Sequence, residues 1–308
     1  MLPPIIPVDK LVALRASPTP PRILDASFVP GAPDEAYNNY LAGPRIPGAT
    51  YWDVAKIATR GEAGRNLPFM MPDSALVAAG AGAHGLSAAV PIVVYDRAGV
   101  FAAPRTVYTL RAYGFDAALL DGGLPAWQTA GGELDTGEMS AQPTHASTCV
   151  EPKLDATAVA SFEEVRANVD SDTRVPVLDA RGPGMFDGTI ATGTSPVRGH
   201  IPHSLSLPFG SVLESEPYTH YKSEPELVAA FERVLGAGSI AALQRSGRVV
   251  TTCAGGLTAA ILWLALEMLG VRAAVYDESW MGWSARAAAG EAPVATSADD
   301  AVKGDAAQ

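Results

Sequence analysis

Short, strongly apolar runs alternate along the chain with longer segments of mixed character. Val249-Val250-Thr251-Thr252 is β-branched throughout and has the length of a buried strand. The run from Thr258 to Leu269 is apolar at nearly every position and long enough for a helix, with Gly270 as its stop. Arg174 to Leu178 and Ala273 to Tyr276 are further predicted strands, and Glu224 to Leu235 is a further helix. Apolar strands alternating with helices imply a parallel sheet with helices on both faces. Ligands of such sheets bind beyond the carboxyl ends of the strands.

The pattern occurs twice. Ile23-Leu24-Asp25-Ala26 answers Val177-Leu178-Asp179-Ala180, and Ile46-Pro47 answers Ile201-Pro202. Val93-Val94-Tyr95-Asp96 answers Val250-Thr251-Thr252-Cys253, and the block Leu120 to Trp127 answers Tyr276 to Trp283. The four offsets, 154, 155, 157 and 156 residues, are nearly constant, as in a duplicated unit. Two domains follow, over 1–130 and 157–290. Residues 131–156, rich in Gly, Ser, Thr and Pro and without periodicity, are predicted to be a linker. Residues 291–308 are predicted to be a disordered tail.

Charge and composition narrow the function. A net charge of −11 over 308 residues argues against nucleic acid as a partner, which would call for Lys and Arg against phosphates. No apolar run is long enough to span a membrane, so no membrane partner is expected. Five histidines and two cysteines show no metal-ligand spacing, and neither a metal nor another cofactor is expected. Cys149 and Cys253 do not make a disulfide framework, which fits a reduced compartment. The amino terminus lacks the pattern of a secretory signal, so the cytoplasm is expected, with the mitochondrion as the alternative.

Cys253 stands at the end of a predicted strand, followed by Ala254-Gly255-Gly256-Leu257 and the helix that opens near Thr258. Two glycines within three residues let the backbone curl around the sulfur. The unpaired N–H groups and positive dipole end of a helix start favour a thiolate or an anionic persulfide there. A buried core cysteine is the plainer alternative, since free cysteines are commonly buried. The glycine turn and the helix start together favour a reactive sulfur, with the backbone of Ala254, Gly255, Gly256, Leu257 and Thr258 as its anion cradle. The first copy has Asp96 at this place, expected to cap the start of a helix. Cys149, inside the expected linker, is expected to be passive.

Arg45-Ile46-Pro47-Gly48-Ala49, Gly199-His200-Ile201-Pro202, the cysteine loop, Asp121-Gly122-Gly123-Leu124-Pro125-Ala126-Trp127 and Tyr276-Asp277-Glu278-Ser279-Trp280 form a set. Together they resemble the two-domain rhodanese family, the thiosulfate and 3-mercaptopyruvate sulfurtransferases. Leu67-Pro68-Phe69-Met70-Met71-Pro72 and Ala103-Pro104-Arg105 put the resemblance nearest the mercaptopyruvate branch, its fungal members in particular. The resemblance implies an α/β fold of two tandem rhodanese-like domains, each a mainly parallel sheet with helices on both faces. It implies that the first domain is not catalytic. It also implies that Cys253 carries a sulfane sulfur, as a persulfide, from a small sulfur donor to a thiol, a thioredoxin-like protein or another nucleophile.

The chain departs from that branch around the cysteine. The branch's loop serine is Gly255, its histidine is Phe69 and its aspartate is Ala55. Its two substrate-gripping arginines fall at Met185 and near Thr194, which makes the donor pocket less cationic. Arg181, after Asp179-Ala180, is the best remaining basic residue near the strand ends, either a donor-binding cation or a strut holding the loop. Arg198 could reach a substrate or stand solvated. His200 could be a general acid or a polar lock, and Trp280 and Trp283 could line a cleft or pack in the core. Sulfur transfer through Cys253 is the expected function. Its donor would be 3-mercaptopyruvate-like or thiosulfate-like, or a bulkier and less anionic sulfur compound. The alternative is a catalytically weak sulfur carrier of the same fold that serves another protein.

Overall fold

A computed structural model describes residues 1–61, 66–143, 145, 150–217 and 219–296. Cys149 and residues 297–308 of the expected tail lie outside the described residues. The chain forms two compact units. One comprises residues 1–59, 71–156 and 213–222, and the other residues 60–70, 157–212 and the chain from 223 onward. Each repeat therefore contributes one short segment to the unit built mainly from the other.

The first unit runs β1 (Ile5–Ile6), α1 (Val8–Arg15), β2 (Arg22–Asp25), α2 (Glu35–Ala42), β3 (Ala49–Tyr51), α3 (Ser74–His84), β4 (Ile92–Tyr95), α4 (Ala103–Ala112), β5 (Ala117–Leu120) and α5 (Gly123–Thr129). Its strands lie in the order β1-β5-β4-β2-β3, every neighbouring pair parallel. The second unit runs β6 (Val159–Ala160), α6 (Phe162–Asp170), β7 (Val177–Asp179), α7 (Pro183–Phe186), β8 (Leu205–Ser206), α8 (Glu224–Leu235), α9 (Ser239–Ser246), β9 (Val249–Thr252), α10 (Ala259–Met268), β10 (Ala273–Tyr276) and α11 (Ser279–Ala288). Its order, β6-β10-β9-β7-β8, is the same arrangement, again all parallel. The α/β architecture read from the alternating runs is thus present in both repeats, with helices flanking each sheet.

The duplication extends to the helix caps. At the end of α4 the N–H of Phe115 bonds the carbonyl of Leu110 at 3.0 Å, across Gly114 at φ +80°. At the end of α10 the N–H of Val271 bonds Leu266 at 2.9 Å, across Gly270 at φ +67°. Both are glycine-terminated helix ends that satisfy a carbonyl of the last turn. Helix α10 is buried from Ala259 through Leu266, which accounts for its nearly unbroken apolar sequence. The strand predicted over 174–178 begins instead at Val177. Pro176 has no N–H to give a ladder, although its carbonyl accepts from Val250 at 2.9 Å.

Two segments without periodicity also have a fixed place. The indole of Trp127 donates to the carbonyl of Glu133, and that of Trp283 to the carbonyl of Pro293, both at 2.8 Å. Asp135 bridges Arg45, and Ala295 bridges His200, each pair antiparallel. So the chain after the last helix of each repeat returns to the Ile-Pro loop of its own unit. Residues 133–135 of the expected linker and 293–295 of the expected tail are equivalent parts of the two units, held by indole and backbone donors.

His84, at the end of α3, gives the first unit an acid-sensitive point. Its ring is 5% exposed, lies 5.3 Å from that of Trp52 and meets Thr50 Oγ1 at 2.8 Å through Nδ1. Burial lowers its pKa to about 4, with the charge of His145 acting in the same direction. The neutral ring is therefore favoured on folding. Its contribution is intact above about pH 6.5 and is lost as the pH falls toward 4. Between pH 7 and 4.5 the wild type should lose roughly 2–3 kcal/mol more stability than His84→Gln, measured by urea unfolding. Equal losses in the two proteins would show that His84 is not the titrating group.

Candidate active site

The sulfur of Cys253 lies at the carboxyl end of β9, the central strand of its five-stranded sheet, just before the buried helix α10. The residue is 1% exposed and is a free cysteine. Gly256, at φ +96°, turns the loop so that its N–H points to the sulfur at 3.1 Å. That φ is in the region only glycine adopts without strain, which explains the second glycine after the cysteine. The N–H groups of Leu257, Thr258 and Ala259, at the start of α10, have no acceptor among the described residues.

The loop is fixed from behind by α11. Trp280 and Met281 donate their N–H groups to the carbonyls of Cys253 and Ala254, both at 2.9 Å. These are first-turn donors with no partner inside their own helix. Ser279 starts that turn at φ +50°, fully buried, with its hydroxyl bonded to the carbonyl of Tyr276 at 3.1 Å. The first unit repeats the contact: Leu124 donates to the carbonyl of Asp96 at 2.9 Å, after Gly123 at φ +54°.

Asp96 explains how the first unit keeps its loop without a sulfur. One carboxylate oxygen, Oδ2, accepts from the N–H groups of Phe101, Ala102 and Ala103 at 2.7, 2.9 and 2.9 Å. Burial pushes this carboxyl above the usual range, and the three amides pull it back. The helix start that stands open in the second unit is filled in the first by the chain's own carboxylate, the capping role expected for Asp96.

Of the two roles weighed for Arg181, the geometry is that of the strut. Its side chain is buried, and all five of its N–H bonds have acceptors. Nε and Nη2 reach the carboxylate of Asp179, Nη2 also reaches the carbonyl of Gly199 at 2.9 Å, and Nη1 reaches Thr192 Oγ1 at 3.0 Å and the carbonyl of Met185 at 3.3 Å. The guanidinium also lies 4.4 Å over the ring of Trp280. No donor is left for a substrate anion.

The other candidates are placed as follows. Met185 is half-buried in α7. Arg198 is exposed and touches the carbonyl of Thr189 at 3.4 Å, and Thr194 is exposed. His200 is buried, stacks on Phe186 at 3.8 Å and meets the Phe186 carbonyl at 2.9 Å through Nδ1, which is the polar lock. Trp280 and Trp283 are in the core. Phe69 is buried and belongs to the second unit through residues 60–70, whereas Ala55 sits in a turn of the first unit capped by Asp53. Sequence reasoning missed Pro68 and Met281, which cover the cysteine loop. A Cβ at Gly255 would lie 3.0 Å from Pro68 Cγ and 3.3 Å from Met281 Sδ. Only the glycine itself signals such close cover. Among the described residues no cluster of three or more His, Cys, Asp or Glu could hold a metal ion. No helix among them is long and apolar enough to cross a membrane.

Comparison with known proteins agrees with this geometry. A model of the rhodanese-like domain matches residues 8–130 and again 161–286. The chain is 31% identical over 272 residues to a probable 3-mercaptopyruvate sulfurtransferase of Schizosaccharomyces pombe, covering 86% of this chain and 87% of that protein. It is 32% identical over 287 residues to the 3-mercaptopyruvate sulfurtransferase of Rattus norvegicus, covering 91% and 90%. The crystal structure of Tum1 from Saccharomyces cerevisiae superposes with a TM-score of 0.81 at 25% identity, covering 94% of this chain and 97% of that one. With both repeats matched, relatives aligned over most of their length and the same sheet order in each unit, the chain belongs to the rhodanese family as a tandem pair of rhodanese-like domains.

Proposed function

We propose that the protein is a sulfurtransferase in which Cys253 alternates between thiolate and persulfide. The observation that carries this is the sulfur at the end of β9, bonded by Gly256 N–H just before α10, where the N–H groups of Leu257, Thr258 and Ala259 have no acceptor among the described residues. In the first half-reaction the Cys253 thiolate attacks the sulfur that the donor gives up. With a thiosulfate-type donor the S–S bond breaks and its electron pair leaves with sulfite. With a mercaptopyruvate-type donor the C–S bond breaks and its pair leaves as an enolate, which takes up a proton to give pyruvate. In the second half-reaction an acceptor thiolate, small or carried by a thioredoxin-like protein, attacks the outer sulfur. The acceptor leaves as a persulfide and the Cys253 thiolate is restored. The loop amides stabilise the negative charge on sulfur at each stage.

A site that works through a free thiol fits a reducing compartment. The engaged Arg181 and the methionine at 185 support a donor less anionic than those of relatives that grip a carboxylate with arginine. The test is treatment of the full chain with thiosulfate and with 3-mercaptopyruvate, followed by peptide mass mapping. One added sulfur atom on the Cys253 peptide, removed by cyanide, is the expected result. Sulfur found only on Cys149 would refute the reading.

A further inference from the structure

We propose that the pocket between α6 and the sheet of the second unit binds a small carboxylic acid with a compact apolar body, its carboxylate on Arg248. The pocket reaches Val250 near the amino end of β9, the opposite end of that strand from Cys253.

The two repeats differ in how they fill this space. β1 and α1 correspond to β6 and α6 at an offset of 154 residues, the offset that also relates Ile23 to Val177. At that offset Ile6 answers Ala160, Leu11 answers Val165 and Leu14 answers Asn168. In the first unit Ile6 and Leu11 are buried in the core and Leu14 packs against them. In the second unit all three places carry a smaller or a polar residue, and all three line the pocket together with Val250. Asn168 does not fill the room that Leu14 fills, because its amide is turned to Val175. It donates to that carbonyl at 2.9 Å and accepts from that N–H at 2.8 Å. The pocket measures about 310 Å³, roughly twice the size of an engineered apolar cavity that holds benzene. A six-membered ring with a short acidic arm fits that volume.

Arg248 supplies the polar end. It lines the pocket, and its side chain is 32% exposed. Nη2 donates to the carbonyls of Thr157 and Val159 at 3.1 and 3.2 Å, which fixes the group in place. Nη1 reaches Glu164 Oε1 at 3.4 Å, in a pair whose acid is 54% exposed and which therefore binds weakly. The other oxygen of Glu164, Oε2, accepts from the Ser161 N–H at the start of α6. Nε has no acceptor among the described residues, and Nη1 has a second N–H to spare. Unlike Arg181, this arginine keeps donors for a carboxylate. The carboxylate joins or displaces Glu164 on Nη1, and the apolar body lies against Ala160, Val165 and Val250. An apolar pocket with a few polar groups at one end is the common make-up of a small-molecule site.

Phenylacetate, 2-phenylethanol and 2-phenylethylamine are matched probes, one ring with a negative, a neutral and a positive arm. Isothermal titration calorimetry with the full chain is expected to give a Kd of about 1 mM or tighter for phenylacetate, and binding at least about fivefold weaker for the other two. Cys253→Ser should bind phenylacetate as the wild type does. Ala160→Ile, which puts the first repeat's residue into the pocket, should weaken phenylacetate at least about tenfold. Val165→Leu makes the same test should the isoleucine variant not fold. Arg248→Gln should abolish the preference for the acid. No saturable binding of phenylacetate up to about 10 mM would overturn the proposal and leave the pocket a gap in packing. Binding that is unchanged in folded Ala160→Ile and Val165→Leu, or that is lost in Cys253→Ser, would place the ligand elsewhere and overturn it equally. Tighter binding of the amine than of the acid would overturn the ligand class and move the charge contact to Glu164.

Discussion

Replacing Cys253 with serine is expected to lower sulfur transfer by about three orders of magnitude or more while the fold is kept. The hydroxyl is nearly isosteric with the thiol. It can still accept from Gly256 N–H, the bond that the sulfur accepts at 3.1 Å. The carbonyls of Cys253 and Ala254 stay on Trp280 and Met281, because those bonds involve no side chain at 253. What is lost is chemical. An alcohol is scarcely ionised near neutrality, and oxygen does not form the sulfur–sulfur bond on which both half-reactions depend. Thiocyanate formation from any sulfane donor, compared with the thermal unfolding midpoint of the same preparation, separates the two effects. A variant that unfolds like the wild type and keeps more than about a tenth of its rate would show that the sulfur travels by another route.

The largest loss of stability is expected from Arg181→Met, at about 3–5 kcal/mol. The side chains of Arg181 and Asp179 are each 1% exposed, so removing the guanidinium leaves a carboxylate in the core with no counter-charge. The Gly199 carbonyl and Thr192 Oγ1 lose a donor as well, and the Trp280 ring loses the cation over its face. Arg181→Lys should recover little, because an ammonium cannot copy the planar fork that meets both oxygens of Asp179. Removing both charges, in Asp179→Asn with Arg181→Met, should be less costly than the single change at 181. Urea unfolding of the three variants measures this. An Arg181→Met protein as stable as the wild type, with a donor KM raised at least about tenfold, would return Arg181 to the donor site.

The fold was legible from apolar runs because each strand of a parallel sheet is buried on both faces. Val249–Thr252 and Ala273–Tyr276 are buried at every position and stand out in the sequence for that reason. Cys253 was legible because a glycine turn between a strand and a helix narrows the geometry of the sulfur before any coordinates exist. The straps at 133–135 and 293–295 were not legible. They are held by Trp127, Trp283 and backbone bridges, and such contacts leave no period in the chain. Arg181 was ambiguous because sequence shows a charge but not its acceptors. Pro68 and Met281 were invisible as a pair because they lie far apart along the chain and close together over Gly255.

The exchange of segments between the repeats has a consequence for synthesis. A chain that emerges from the ribosome in order presents residues 1–59 and 71–156 early, but the first unit also needs residues 213–222. Until those emerge the unit is unfinished, however well its sheet has formed. Residues 60–70 wait even longer, for a second sheet whose central strand β9 comes nearly two hundred residues later. Domain-by-domain folding during translation, the usual course for tandem domains, is therefore interrupted at both units. The nascent chain must carry two incomplete folds at once until the late segments have emerged.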